Sequence, residues 1–376
     1  MKDERLSLAA CLRERAEEVS RLAMVSGFDG FVDQLAQVVE ERVSLEAYQP
    51  VETISRFGEL IAGAAGRSSL REFVVLGLEA GGCAVNLGDG AASLGVQLDY
   101  FGTVGNPVHG AFGAFAEKCR RFRTLGCEPG FTMALEFADG KTMFSSVSQL
   151  GGFTAGALGE AVADGEFLAA CGEAGLIALT NWTLYPHMTD CWRLVQEEVL
   201  SQVGHRPWVF LDLVDPRSRK LSDLEALLPV ISGFEGSARC ILGGNLNEAN
   251  VLAGLLGVAP VPEEGPAVAD LCAELRAALG VSEVAIHCVA GAAVASAAEA
   301  PVWVAGPYTA KPKKSTGAGD RYNAGYCVGR MLDLPAAWRC LLGTATSGFF
   351  VREARSGSLA EVAGLLEAWA EGRLGA

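Results

Sequence analysis

The chain has 376 residues, enough for one large domain plus a smaller piece, and half of them are hydrophobic, so general disorder is excluded. Against 30 Lys and Arg stand 45 Asp and Glu, a net charge of −15 that argues against a nucleic-acid backbone or an anionic membrane surface as partner. There are 46 glycines, about 12% against about 7% in ordinary proteins; with no three-residue period they must serve turns, close packing or backbone approach to a ligand.

Residues 1–23 carry charges throughout, which break any apolar signal segment and predict an extra N-terminal amphipathic helix. GFDGFVDQL (27–35) occupies the place of a first strand, and 51–65 predicts a further helix. LREFVVLGL (70–78) is a strand-like apolar run, and GCAVNLGDGAASLG (82–95) predicts a helix of small residues packed tightly on its neighbours. Runs 131–137 and 141–147 flank Asp139-Gly140, a strong hairpin signal; two strands alone are marginal, so the hairpin should join a small accessory sheet.

From residue 175 strands and helices alternate. GLIALTNWT (175–183), WVFLDLVDP (208–216), the start of CILGGNLNEANVLAGLL (240–256) and SEVAIHCV (282–289) read as strands. Helical patterns fall at 188–203, at 221–228 and after Asn245. This alternation predicts a mainly parallel sheet covered on both faces, with ligands at the carboxyl ends of its strands. The most apolar later stretch, 284–298 between Glu283 and Glu299, is 15 residues long and too short to span a membrane. The 11 cysteines include no CxxC pair, so zinc and thioredoxin-like roles fail, and buried thiols in a reducing cytoplasm are expected. The four histidines show no metal spacing.

The densest chemistry lies in KSTGAGDRYNAGY (314–326). Gly317, Ala318 and Gly319 allow a sharp turn into a helix, whose unpaired first-turn N–H groups and dipole make an anion site. Asp320 then sits beside the bound anion. It is either a helix-dipole partner or a general base that takes a proton from a hydroxyl attacking a γ-phosphate.

This stretch resembles the C-terminal signature DTxGAGDxFxAG of the ribokinase-like (PfkB) carbohydrate kinases. The resemblance implies Asp320 as catalytic base and the Gly317-Ala318-Gly319 backbone as anion hole. Lys314 stands where the family has Asp, and Ser315 where it has Thr. GGCAVNLGDGAASLGVQLDYFGTVGNPVHG (81–110) is similar to the family's N-terminal signature, with Gly81, Gly82 and Asn86 at acceptor-binding positions and Asn106 in place of an Asp. The diglycine lets a hydroxyl-rich ligand approach backbone amides, although tight helix packing would also use it. Asn245-Leu-Asn-Glu248 matches the family's NxxE motif, which implies that Asn245 and Glu248 organise phosphate and Mg²⁺, Glu248 through water; a helix cap is the plain alternative. For the carboxylate that grips sugar hydroxyls, Asp33 is the first choice by its spacing after the glycine and Asp29 the second; a turn Asp beside Gly30 is the alternative. Asn181 and Asp212 lie at strand ends and could line the site or cap the next connection. The family's nucleotide loop TxGxxGA corresponds to HCVAGAA (287–293), without the Thr and the first Gly.

The resemblance covers roughly 24–370. It implies an α/β, ribokinase-like single domain: a mainly parallel central sheet flanked by helices on both faces, with a small β lid from segments near 31–48 and 98–148. It also implies ATP and Mg²⁺ as cosubstrate and cofactor, a sugar or small polyol as acceptor, a cytoplasmic location and a homodimer through the lid. Two other readings compete. A non-catalytic sugar-binding or regulatory protein on the same fold is suggested by Lys314 and the altered loop, and opposed by Asp320. A dinucleotide-dependent oxidoreductase rests on GDGAAS (88–93), which misses the GxGxxG pattern and lies inside a predicted helix. No GxxxxGK[ST] P-loop occurs.

Overall fold

The computed structural model describes residues 2–374. Fourteen strands run β1 (Ala23–Phe28), β2 (Phe31–Arg42), β3 (Tyr48–Pro50), β4 (Phe73–Gly81), β5 (Gln97–Gly102), β6 (Arg121–Thr124), β7 (Gly130–Phe137), β8 (Gly140–Ser146), β9 (Leu176–Leu179), β10 (Trp208–Asp212), β11 (Arg239–Asn245), β12 (Glu283–His287), β13 (Gly291–Ser296) and β14 (Val302–Ala305). Nine form one sheet in the order β14-β13-β12-β11-β10-β9-β1-β5-β6. Pairing is parallel from β6 to β12, and β13 alone is reversed, antiparallel to both β12 and β14.

The strands of this sheet are apolar on both faces because both are covered. Val25, Ile177, Val209, Leu242 and Ile286 point into one core with Trp182, Trp192 and Phe234. Their neighbours Met24, Leu176, Phe210, Ile241 and Ala285 point into the other, against the helices Lys2–Glu14, Cys83–Ser93, Ala318–Met331, Ala336–Glu353 and Leu359–Ala370. A two-residue period thus divides each strand between the two layers.

The second sheet has five strands: β3, β2, β7 and β8 in order, with β4 also paired to β2. The expected hairpin at Asp139-Gly140 is its β7–β8 pair. The segment 98–148 is divided, however. β5 and β6 extend the large sheet, because β5 is buried along its length between β1 and β6. Their place in the small sheet is taken by β4, whose Phe73–Gly81 pairs with Phe31–Val38. The helix expected over 51–65 is Ile54–Ala62, capped by Thr53, whose Oγ1 accepts from Arg56 N at 3.1 Å; Phe57 and Leu60 pack on Val38, Val51 and Leu135 of the small sheet.

The N-terminal segment is not one helix over 1–23. Lys2–Glu14 is followed by a short turn of helix, Ala16–Val19, and β1 begins at Ala23. Leu8 and Leu12 bury against the C-terminal helix, and Arg13 pairs with Glu367 at 2.9 Å. Over 188–203 the helix Met188–Leu194 widens into a π turn and ends in a 3₁₀ turn. All 11 cysteines are free thiols; Cys11, Cys83, Cys119, Cys127 and Cys288 are only partly buried, a correction to the expectation of buried thiols throughout. Among the described residues no helix is long and apolar enough to cross a membrane.

Candidate active site

The carboxyl ends of the parallel strands converge on the start of helix Ala318–Met331. Asp29 follows β1, Asn181 follows β9, and Asp212, Asn245 and His287 end β10, β11 and β12. Gly317 caps the helix with φ +84°, a conformation that suits glycine. A Cβ on Gly319 would stand 2.8 Å from the His287 ring, so backbone and imidazole are in close contact there. In the first turn of this helix Ala318 N donates to Ser315 O at 3.0 Å and Arg321 N to Gly317 O at 3.2 Å, which leaves the N–H groups of Gly319 and Asp320 to meet an anion.

Asp320 lies in that first turn. Asn86 Nδ2 donates to its Oδ2 at 2.9 Å, joining it to helix Cys83–Ser93, which begins at the diglycine. Burial, then the Asp212 charge, push the Asp320 carboxyl up to about 7; Arg321 and Asn86 pull the other way, and Asp29 adds to the rise. Asp212 is buried, accepts from Val214 N at 2.9 Å and Asn323 Nδ2 at 2.7 Å, and is raised mainly by burial. The other end of the Asn323 amide, Oδ1, is buried without a hydrogen-bond partner.

Asp29 is wholly enclosed. It accepts from Cys83 N at 2.6 Å, Ala84 N at 2.9 Å, Thr180 Oγ1 at 2.8 Å and Asn181 Nδ2 at 3.1 Å. Four donors fill the capacity of a carboxylate, so Asp29 caps the diglycine helix and ties it to β9, and Asn181 supports Asp29 rather than lining open space. Gly82 holds φ +103°, and a Cβ there would lie 2.7 Å from Asp29 Oδ2. Asp33 differs. It sits on β2 opposite Glu79 of β4, with Gly81 so close that a Cβ would meet Asp33 Oδ2 at 2.2 Å. Burial, opposed by a hydrogen bond from Thr132, raises its pKa. It lacks the set of two backbone and two side-chain donors that saturates Asp29.

Asn245 and Glu248 form a capping box: Glu248 N donates to Asn245 Oδ1 at 3.1 Å, Asn245 N to Glu248 Oε2 at 2.9 Å and Asn245 Nδ2 to Glu248 Oε1 at 2.6 Å. Burial, and next Asp212, raise the Glu248 carboxyl. No cluster of three or more His, Cys, Asp or Glu among the described residues is arranged to hold a metal directly.

Beside these groups opens a cavity of about 410 Å³ that runs from Asn245, His287 and Gly319 at the helix start to Tyr308, Thr344 and Val351. Burial pushes His287 down to about 4, so its ring is neutral. The segment at 306–309 carries no motif, and 345–366, which resembles the family's closing helix, Gly turn and helix, gives no sign in sequence that its start lines this cavity; the two meet only through the fold. Lys314, at the departure from the family motif, pairs with Glu79 of the small sheet at 2.7 Å.

The profile of the prokaryotic ketohexokinase family matches residues 2–369. The chain belongs to that family. A ketohexokinase of Haloferax volcanii is 30% identical over 352 residues, covering 91% of this chain and 90% of that protein. The Arabidopsis thaliana ribokinase complexed with ribose and ATP superposes with a TM-score of 0.63 at 17% identity, over 92% of this chain and 99% of its own. A putative ribokinase II from E. coli in complex with ATP and Mg²⁺ superposes at 0.59 and 16% identity, over 92% and 98%. The fold is ribokinase-like, and the chain is a carbohydrate kinase.

Proposed function

We propose that the chain transfers the γ-phosphate of ATP to a hydroxyl of a ketohexose, with Asp320 as general base. The observation that carries this is Asp320 itself: a carboxylate in the first turn of a helix start, bonded to Asn86 and raised to about 7, near the pH at which a base is most useful. The acceptor oxygen gives its proton to Asp320 and attacks the γ-phosphorus, and the bond from phosphorus to the ADP oxygen breaks. Gly317, Ala318 and Gly319 bring backbone N–H groups to the charge on the transferring phosphoryl.

The cavity beside the helix start fits a nucleotide, with Tyr308 and Val351 at its far end and polar Asn245 and His287 near the phosphates. The donor set also fits Mg²⁺ held through water. Asp212, Glu248 and Asp320 are carboxylates whose negative charge has no full compensation, and Glu248 is fixed by its capping box. Mg²⁺ keeps several waters and takes few protein ligands, and when bound it neutralises phosphate charge. Asn245 and Glu248 would hold it. Asp33 grips sugar hydroxyls with the Gly81-Gly82 backbone and Asn86, and the small sheet closes over them as a lid. The two copies of a homodimer meet through this lid.

ADP release with ketohexoses and ATP-Mg²⁺ tests the reading. Asp320→Asn should lower turnover by at least about 100-fold, the range for loss of a general base. A loss under tenfold in a folded variant would sink the assignment.

A further inference from the structure

Asp33 belongs to a row of polar side chains that crosses the small sheet. Glu79 of β4 is paired with Asp33 of β2, Asp33 with Thr132 of β7, and Thr132 with Ser145 of β8. Residues paired directly across strands share one face, so the four side chains stand side by side. Thr132 Oγ1 and Ser145 Oγ share a hydrogen bond at 3.1 Å. Asp33 leans toward the diglycine, since a Cβ on Gly81 would lie 2.2 Å from its Oδ2. Two carboxylates directly opposite one another repel. Their counter-charge comes from outside the small sheet: Lys314, in the loop before helix Ala318–Met331, donates from Nζ to Glu79 Oε2 at 2.7 Å. Among the described residues this is the sole ion pair that joins the small sheet to the rest of the molecule; those of Arg42, Arg56 and Lys141 stay within it.

We propose that Lys314 and Glu79 extend the acceptor site: beside Asp33 they bind a hydroxyl of the ketohexose other than the one phosphorylated, Lys314 donating to its oxygen and Glu79 accepting from it. This rests on the reading of Asp33 as an acceptor ligand and of Asp320 as base. A sugar hydroxyl both donates and accepts, whereas ionised Asp33 and Glu79 only accept, so a site built on them alone leaves the hydroxyl oxygen without a donor. Lys314 supplies it. One of its three N–H groups goes to Glu79, and among the described residues nothing takes the other two. The pair is open to a ligand, with 30% of the Lys314 side chain and 45% of the Glu79 side chain exposed. An ion pair so exposed adds little to stability, which leaves recognition as the stronger reason for a cation here. Lys141, the other cation of this face, is occupied by Glu136 at 2.7 Å. The reacting hydroxyl must lie at Asp320, which is tied to Asn86 of the diglycine helix, so the hydroxyl at Lys314 and Glu79 is a remote one.

The test takes whichever of D-fructose, D-tagatose, L-sorbose and D-psicose is phosphorylated best, with its single-deoxy analogues, and measures KM and kcat under saturating ATP. Calorimetric titration of the same sugars without ATP reads binding apart from turnover. Lys314→Met removes the donor and keeps the apolar stem. It should raise KM for the full sugar about 10-fold to 100-fold, the range for a hydrogen bond to a charged group, with kcat and the KM for ATP nearly unchanged. For one deoxy analogue, which already lacks the hydroxyl in question, parent and variant should bind alike; for the others the variant should keep its full loss. Lys314→Arg retains charge and donors and should restore most of the affinity. Should Lys314→Met fail to fold, Glu79→Gln on the exposed strand carries the same comparison. An unaltered KM, or an equal loss for the full sugar and every deoxy analogue, makes Lys314 a mere bridge between the two sheets and overturns the inference. A fall in kcat with a raised KM for ATP places Lys314 on the phosphate side and overturns it too. If the parent neither binds nor phosphorylates any of the four sugars, the functional reading falls and takes the inference with it; if the parent is active and Lys314→Met matches it in KM, only the inference falls.

Discussion

Asp320, Asp212 and Glu248 gather three carboxylates at one end of the site, and burial opposes the charge on each. A carboxyl whose folded pKa is raised contributes its stability below its unfolded pKa, near 4, and that stability is lost as pH rises through the folded value. For Asp320 the window runs from about 4 to about 7. The unliganded protein should thus melt at progressively lower temperature across that window. Asp320→Asn removes one buried charge while keeping an oxygen for Asn86. At pH 8 it should melt a few °C above the parent, on the order of 2 kcal/mol once the open cavity side is allowed for, and the gap should close below pH 5. Calorimetry at the two pH values checks this, and a lower melting point at pH 8 would count against a strained carboxylate. The GAGD residues could be picked out in the sequence as a candidate site because glycine spacing and an acid after it have a chemical meaning. The choice between Asp29 and Asp33 was not, because it depends on donors from residues 83, 84, 180 and 181 that converge only in three dimensions. The Lys314–Glu79 pair was hidden likewise: the two lie 235 residues apart.

Two helices carry most of the proposed chemistry, Cys83–Ser93 and Ala318–Met331, and they approach closely where Gly90 meets Ala324. A Cβ on Gly90 would stand 2.7 Å from Ala324 Cβ, an atom fixed to the backbone of the other helix. Gly90→Ala gains helix propensity of about 1 kcal/mol but overpacks the contact, at a typical cost of 1–3 kcal/mol. It should therefore destabilise slightly and, by parting the helices, stretch the Asn86–Asp320 bond and lower turnover about tenfold. Gly364→Ala makes the same exchange in helix Leu359–Ala370, where a Cβ meets open space, and should stabilise by about 0.5–1 kcal/mol with unchanged turnover. Equal effects at both positions would show that propensity, not the contact, decides. At this scale the alternating half of the chain could be read from its sequence, since each strand shows a short apolar run buried on both faces. The small sheet was harder. β5 and β6 were expected in it, yet β5 is buried on both sides, and β4 joins it although most of its side chains are exposed.

The exposed apolar side chains of the small sheet bear on the whole molecule. Phe73, Val75, Leu76 and Leu78 on β4 and Met143 and Phe144 on β8 are all exposed, and β4 pairs with β2 alone, leaving its other edge without a strand. An open, apolar sheet edge invites pairing with another chain, and proteins usually cover it. A second copy meeting through the same sheet would do so and would also steady β4, which carries Glu79 opposite Asp33 and in contact with Lys314. Dimerisation and acceptor binding would then be linked through one strand. Analytical ultracentrifugation at micromolar concentration should find a dimer. Leu78→Asp combined with Phe144→Asp should give a monomer with a folded large sheet and a several-fold higher KM for the sugar, while kcat changes less because the proposed base and anion hole lie on the other sheet's helices. A parent protein that sediments as a monomer at tens of micromolar would remove the dimer, and a charged pair of variants with unaltered KM would show that β4 is held for acceptor binding without a second copy.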